Sequence, residues 1–153
     1  MTRFYISAQF GRQEEARQVA DQVTRATGWE CTASWLTVNP AEDEAAHTDP
    51  TVMRDAAWND LSDIGRADVM FCLTEDLTPH KSYSRDFTGP PVHRLVRADV
   101  ARGGRHVEVG YAITRIPVII IGPRENVFHG LCREAATVDE AIALALQVTG
   151  GGQ

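Results

Sequence analysis

Short apolar runs alternate with amphipathic helical patterns along the first part of the chain. Residues 3–8 predict a strand, and small apolar residues recur every three or four positions over 13–27, which is typical of an amphipathic helix. Gly28 is expected to end that helix. Residues 29–38 carry tryptophan, threonine and valine and predict a second strand.

A second helix is predicted from Asp49, because an N-cap acceptor is followed there by proline in the first turn. It is expected to run to about Arg66. Its predicted buried stripe comprises Val52, Met53, Ala56, Ala57, Leu61 and Ile64. The run at 68–74 is nearly all apolar, so it predicts a strand that is buried on both faces.

The segment after the third strand has turn-forming residues and no periodicity, so a loop insertion is expected at about 75–93. A loop of that length is usually functional or mobile. Beyond it the pattern predicts a short helix at 94–101, a helix at 106–114, a strand at 116–122 and a final helix opened by a capping box at 137–140.

Alternating strands and helices predict an α/β fold: one doubly wound, flavodoxin- or Rossmann-like sheet, mostly parallel, with helices on both faces. One domain is expected over 1–149, followed by a flexible tail at 150–153. In such folds ligands bind beyond the carboxyl ends of the strands, so the residues that follow the strands are the candidates for function.

Composition narrows the class of protein. A net charge of -6 disfavours a general nucleic-acid binder, and no apolar run approaches the roughly 20 residues that span a membrane. The three cysteines form no CxxC pair, which favours a reducing, cytoplasmic location. The five histidines lack HxxxH spacing, so no metal site is expected.

The turn after the first strand contains Ser7, Gln9 and Arg12 and opens the first helix. Backbone N–H groups of such a turn can bind an anion. The turn matches neither GxGxxG nor GxxxxGK[ST], so the sequence does not support a binding site for dinucleotides or nucleoside triphosphates. The alternative is an ordinary strand–helix turn with a solvated arginine.

Two carboxylates occupy unusual positions. Asp60 shares the apolar stripe of the second helix, so it is expected to be paired, protonated or lining a cavity, unless it sits solvated at the stripe's edge; Asp63 is expected to be exposed. Glu108 follows Gly103 and Gly104, which allow a ligand to approach the backbone closely. Its place near a helix start favours the ionised form. An ionised Glu108 could act as a nucleophile or a general base, or it could only interact with the helix dipole.

Four segments carry a family resemblance: FYISAQFGR, NDLSDIGRADVMFCL, GGRHVEVGYA and IPVIIIGPRENVF. With them the chain resembles the nucleoside 2-deoxyribosyltransferase family and its relatives, the 2'-deoxynucleoside 5'-monophosphate N-glycosidases. The strongest element is Gly-Xaa-Xaa-Xaa-Glu-Xaa-Gly-Tyr-Ala at 104–112.

The resemblance implies an enzyme that cleaves an N-glycosidic bond through a glycosyl-enzyme on Glu108, with Asp60 assisting. Its substrates would be a deoxynucleoside or deoxynucleotide and a nucleobase, with no cofactor, and water in place of the base would give hydrolysis. The resemblance also implies a homodimer or higher oligomer in which Asn126 reaches a neighbour's site. The expected substrate-binding residues are Phe4, Ser7, Gln9, Arg12, Arg102, Gly104, Arg105 and Asn126.

The chain departs from the family pattern in two places. Phe4–Tyr5 occupies the first strand, where the family often has a tyrosine. Arg102 stands where transferases tend to carry an acidic residue and the monophosphate hydrolases a serine. With Arg12, Arg105 and His106 it could neutralise a 5'-phosphate, or it could simply cap the preceding short helix.

Two other functions fit the same scaffold. A non-catalytic nucleotide-binding module would be stabilised by its ligand without turnover, because a fold does not determine a function. An enzyme that cleaves the glycosidic bond of a dinucleotide such as NAD would release nicotinamide.

Overall fold

Five strands and four α-helices make up the regular structure that the computed structural model describes, in residues 1–39, 48–74 and 104–150. They are β1 (Arg3–Ser7), α1 (Gln13–Thr27), β2 (Glu30–Cys31), α2 (Pro50–Gly65), β3 (Val69–Leu73), α3 (Gly104–Ala112), β4 (Val118–Ile121), β5 (Arg133–Ala135) and α4 (Val138–Gly150). Short 3-10 helices cover Phe10–Arg12, Ser34–Thr37 and Val127–Leu131.

The five strands form one parallel sheet in the order β2-β1-β3-β4-β5. α1 packs against α4, and α2 packs against α3. The connections from β1 to β2 and from β2 to β3 run in opposite directions along the sheet, so right-handed crossovers place α1 and α2 on opposite faces. Each of these helices has its packing partner, α4 or α3, on the same face. The doubly wound α/β prediction is therefore confirmed, and the strand order changes direction between β1 and β3.

The ends of the first two long helices follow from single residues. Gly28 adopts a left-handed φ of 73° and its N–H bonds the carbonyl of Thr24, which closes α1. Asp49 accepts hydrogen bonds from the N–H groups of Thr51 and Val52, which opens α2. Both predicted boundaries are confirmed.

Two sequence predictions about elements are wrong. Only two residues of the predicted strand 29–38 pair as β2, and a 3-10 helix follows in which Trp35 is buried and its Nε1 donates to the carbonyl of Ile6 at 2.8 Å. The indole is thus satisfied without strand pairing. Three residues expected on the buried stripe of α2 are exposed: Val52 (37%), Met53 (49%) and Ala57.

The core lies along the centre of the sheet, where β1 and β3 are almost fully buried. Phe4 packs edge-on against Phe71 with ring centroids 5.8 Å apart. Half of the predicted capping box forms, since Thr137 Oγ1 accepts from Glu140 N. Glu140 Oε2 accepts from Ala136 N, one residue before the N-cap, and not from Thr137 N.

Some predictions concern residues outside the described ranges: the loop at 75–93, the helix at 94–101 and the end of the tail at 151–153. Gly150, assigned to the tail, belongs to α4. Among the described helices, none has the length and apolar character needed to cross a membrane.

Candidate active site

Glu108 lies at the carboxyl end of β1, where the strand order changes direction. It extends from α3, and its Oε1 accepts from Tyr5 Oη at 3.1 Å while its Oε2 accepts from Ser7 Oγ at 2.5 Å. Tyr5 and Ser7 share one face of β1 because side chains alternate along a strand. Ser7, predicted as a substrate-binding residue, therefore contacts Glu108 directly.

Phe4 does not belong to this site. It points to the other face of β1, is 0% exposed and packs in the core, so its predicted contact with substrate is wrong. The tyrosine that faces Glu108 is the next residue, Tyr5. In the sequence, Tyr5 stands out only as a departure from the family pattern.

The charge state of Glu108 is set by opposing effects. Burial raises the pKa of Glu108, while hydrogen bonds from Ser7 and Tyr5 and the charge of Arg105 lower it. Burial, followed by the charges of Glu108 and Asp60, raises the pKa of Tyr5 well above its usual value, so this phenol stays a neutral donor. The glutamate is thus held in low dielectric by neutral donors and one cation.

The helix dipole contributes less than the sequence predicted. The described part of α3 begins at Gly104 and has no acidic residue in its first turn, so Glu108 lies in the second turn. The field of a helix end falls off within one turn. Side-chain donors from β1 take the role that was expected of the helix start.

Asp60 is the second carboxyl group of the site. It lies on α2 and is largely shielded, and burial, followed by the charges of Glu108 and Asp63, raises its pKa to about 7. No described residue donates a hydrogen bond to its carboxyl group, which contrasts with Glu108. Asp60 can therefore gain or lose a proton near neutral pH.

Asp63 was expected to be exposed, and that prediction is wrong because it is only 3% exposed. Its Oδ2 accepts from the backbone N of Ser34 at 2.8 Å and from Ser34 Oγ at 2.6 Å, and its Oδ1 pairs with Arg66. These donors replace water around the buried carboxylate and join α2 to the 3-10 helix Ser34–Thr37.

Arg12 lies at the end of β3, where its Nη1 donates to the carbonyl of Thr74 at 2.7 Å. It also pairs with Glu15 at 2.6 Å. The guanidinium is therefore held by this chain's own acceptors. Gln9 precedes the 3-10 helix Phe10–Arg12, and its carbonyl accepts from Arg12 N at 2.8 Å.

Arg105 forms a buried ion pair with Glu125 at 2.7 Å and donates to the carbonyl of Leu73 at 3.1 Å. This places its charge at the carboxyl ends of β3 and β4, near Glu108. Gly104 is exposed at the start of the described part of α3. The predicted contact of Arg102 with phosphate lies outside the described residues.

Asn126 caps the 3-10 helix Val127–Leu131, since its Oδ1 accepts from the backbone N of Phe128 at 2.9 Å and of His129 at 3.3 Å. Its Nδ2 lies 3.4 Å from His106 Nδ1. The side-chain oxygen thus accepts hydrogen bonds from its own chain. A role of Asn126 in a neighbouring subunit's site stays a prediction.

Folding brings together two histidines that spacing along the chain did not connect. His106, Glu125 and His129 each offer one ligand atom within 4.8 Å of the others. However, Glu125 N donates to His129 Nδ1 at 3.2 Å, so that nitrogen's lone pair is used and Nε2 carries the proton. His129 therefore has no free nitrogen with which to bind a metal.

Together, the fold and the site define a class of protein: a doubly wound α/β domain with two unlike carboxyl groups near the carboxyl edge of its sheet, the edge at which such folds generally bind ligands. One carboxylate accepts two hydrogen bonds, and the other titrates near neutral pH. Such a pair can divide the roles of nucleophile and acid between them.

Comparisons with known proteins do not define this class more narrowly. No family model matches the chain, and no curated protein matches it. Among solved structures it is similar to that of the Clostridium botulinum CMP N-glycosidase BcmB, with 14% identity, a TM-score of 0.48, and coverage of 94% of this chain and 98% of that one. These values are too low to indicate a shared function, so functional inference depends on the geometry of the site.

Proposed function

We propose that the protein cleaves the N-glycosidic bond of a 2'-deoxynucleoside or deoxynucleotide and transfers the sugar to another base. The observation that carries the proposal is Glu108, half-buried at the carboxyl edge of β1 between the hydroxyl donors of Tyr5 and Ser7, with Asp60 nearby at a pKa of about 7. The resemblance of the segment at 104–112 to the deoxyribosyltransferases supports the choice of substrate.

The proposed reaction starts with ionised Glu108 and protonated Asp60. A carboxylate oxygen of Glu108 bonds to C1' as the bond from C1' to the base nitrogen breaks, and the proton of Asp60 passes to the departing base. The result is a glycosyl ester on Glu108. A second base then attacks C1', frees the carboxylate and returns its proton to Asp60.

The two oxygens of Glu108 differ in how firmly they are held. Oε2 accepts the shorter bond, from Ser7 at 2.5 Å, and Oε1 the longer one, from Tyr5 at 3.1 Å. A strong hydrogen bond withdraws electron density from its acceptor. We therefore assign the attack on C1' to Oε1, and the anchoring of the carboxylate to Ser7.

The test incubates the protein with each deoxynucleoside and its monophosphate in the presence of a second free base, followed by chromatography. We expect a new nucleoside or nucleotide that carries the added base. Glu108→Gln, which keeps the shape but loses the charge, should lower the rate by at least about 10³-fold. Glu30→Gln makes the same change at an exposed position and should leave the rate unaltered.

Other results would contradict the proposal in distinct ways. Free sugar or sugar phosphate without base exchange would make the protein an N-glycosidase, the alternative implied by the same resemblance. Thermal stabilisation by nucleotides without any base release would indicate a binding module. An active, folded Glu108→Gln variant would exclude Glu108 as the nucleophile.

A further inference from the structure

Two buried N–H groups have no acceptor among the described residues: Arg105 Nε and His129 Nε2. A buried donor left unpaired costs about 1–3 kcal/mol, so each such group calls for an explanation. Both groups flank Glu125, whose carboxylate pairs with Arg105 and whose backbone N–H faces His129. The two unpaired donors therefore lie on side chains that contact the same residue.

His129 is committed to act as a donor. Its Nδ1 accepts the backbone N–H of Glu125 at 3.2 Å, which leaves the proton of the neutral ring on Nε2. The residue is 0% exposed, and burial lowers the pKa of His129, so the ring stays neutral. An unpartnered Nε2–H in such a place fits an acceptor atom and does not fit a metal ion.

The charged groups around the two donors are balanced in pairs and add no net positive charge. The carboxylate of Glu125 is already balanced by Arg105, and Arg124, also near His129, pairs with Glu134 at 2.8 Å. The ring centroid of His106 lies 6.4 Å from that of His129. Because His106 is exposed, we place it at the solvent side of the cluster, where its movement would open the site.

We propose that Arg105, His106, Glu125 and His129, the histidine cluster, bind an oxyanion of the phosphate class through Arg105 Nε–H and His129 Nε2–H. Glu125 takes no direct part: it holds Arg105 in place and fixes the tautomer of His129. The inference rests on the proposed function in one respect, since the phosphate group of a deoxynucleotide is then one source of the oxyanion. Free inorganic phosphate is the other source.

The first test uses the wild-type chain with ¹⁵N-labelled histidine and inorganic phosphate as the probe. Proton–nitrogen spectra should show a neutral His129 with the proton on Nε2, and phosphate should shift that signal. A spectrum that phosphate leaves unchanged would overturn the proposal. So would loss of the Nε2 proton on addition of Zn²⁺, because the cluster would then be a cation site.

A matched pair of variants isolates the donor. His129→Asn keeps an acceptor near the position of Nδ1 and loses the Nε2–H, whereas His129→Gln places an amide donor near Nε2. Calorimetry with phosphate should show binding by His129→Asn that is weaker by about tenfold or more, with His129→Gln much closer to wild type. Equal affinities of the two folded variants would count against the cluster.

The source of the oxyanion and the proposed function are tested separately. If a deoxynucleoside monophosphate competes with phosphate and the unphosphorylated nucleoside does not, the cluster binds the phosphate group of the nucleotide. If phosphate binds without such competition, the cluster binds the free ion. Base release from the unphosphorylated nucleoside needs no phosphate contact. Failure of base release from both the nucleoside and its monophosphate, alongside an intact phosphate shift, would contradict the proposed function only.

Discussion

Replacing Asp60 by asparagine should stabilise the fold at alkaline pH and lower the activity. The environment raises the pKa of Asp60 from 3.8 to about 7, so the folded state keeps this proton over a range in which the unfolded chain has lost it. The free energy of unfolding falls with rising pH wherever the folded state binds more protons than the unfolded one. The carboxyl group therefore destabilises the fold progressively from about pH 4 to pH 7, and the effect is constant above that.

The magnitude follows from the width of that range. Each pKa unit corresponds to about 1.4 kcal/mol, and the interval from pH 5 to pH 7 spans about two units. Asp60 retains some contact with solvent, so we halve the product and expect that the stability of Asp60→Asn relative to wild type rises by about 1–2 kcal/mol between pH 5 and pH 8. The asparagine fits the same space and carries no charge.

Urea unfolding followed by circular dichroism at pH 5 and pH 8 measures this difference for wild type and variant. Asp55→Asn is the matched control, since it makes the same change at an exposed position on α2. In parallel, wild-type base release should decline as the pH rises through about 7, and Asp60→Asn should lose about 10²-fold or more in rate. An identical stability difference at both pH values would refute the buried, neutral Asp60.

The remaining predictions concern the neighbours of the two carboxyl groups and the assembly. Tyr5→Phe removes a donor to Glu108, so the acid limb of the rate profile should move to higher pH and kcat should fall about tenfold; an unmoved limb would exclude this hydrogen bond. Asp63→Asn should lower the free energy of unfolding by about 2 kcal/mol in urea melts, because its hydrogen bonds to Ser34 are buried; a change near zero would mean that they contribute nothing. Light scattering should give a dimer or higher oligomer, and a monomer would remove Asn126 from the set of site residues.

The sequence was most informative where local signals decide the structure. The periodicity of α1, the cap at Asp49 and the capping box before α4 each predicted an element that the structure contains. The strand prediction at 29–38 failed because Trp35 is buried as part of a 3-10 helix. A buried 3-10 segment has the same aromatic and apolar composition as a buried strand. Composition cannot separate the two.

For the site, the sequence identified the carboxyl groups but not their partners. Asp60 and Glu108 stood out because a carboxylate on an apolar stripe or after two glycines is unusual. β1 is buried on both faces, so polarity does not reveal whether Phe4 or Tyr5 faces the ligand edge. The meeting of His106 with His129 depends on how α3 packs beside the segment after β4, which no spacing along the chain records.

The division of roles between the carboxyl groups follows from which protons can move at neutral pH. Tyr5 donates a hydrogen bond to Glu108, yet burial raises the pKa of Tyr5 well above the usual value, so it cannot supply a proton and recover it in each cycle. Asp60 titrates at about 7 and so can do both. Negative charge on Glu108 helps to keep Asp60 protonated, so formation of the glycosyl ester, which removes that charge, lowers the pKa of Asp60 as its proton leaves with the base. The nucleophile and the acid are thereby coupled in the direction that the reaction requires.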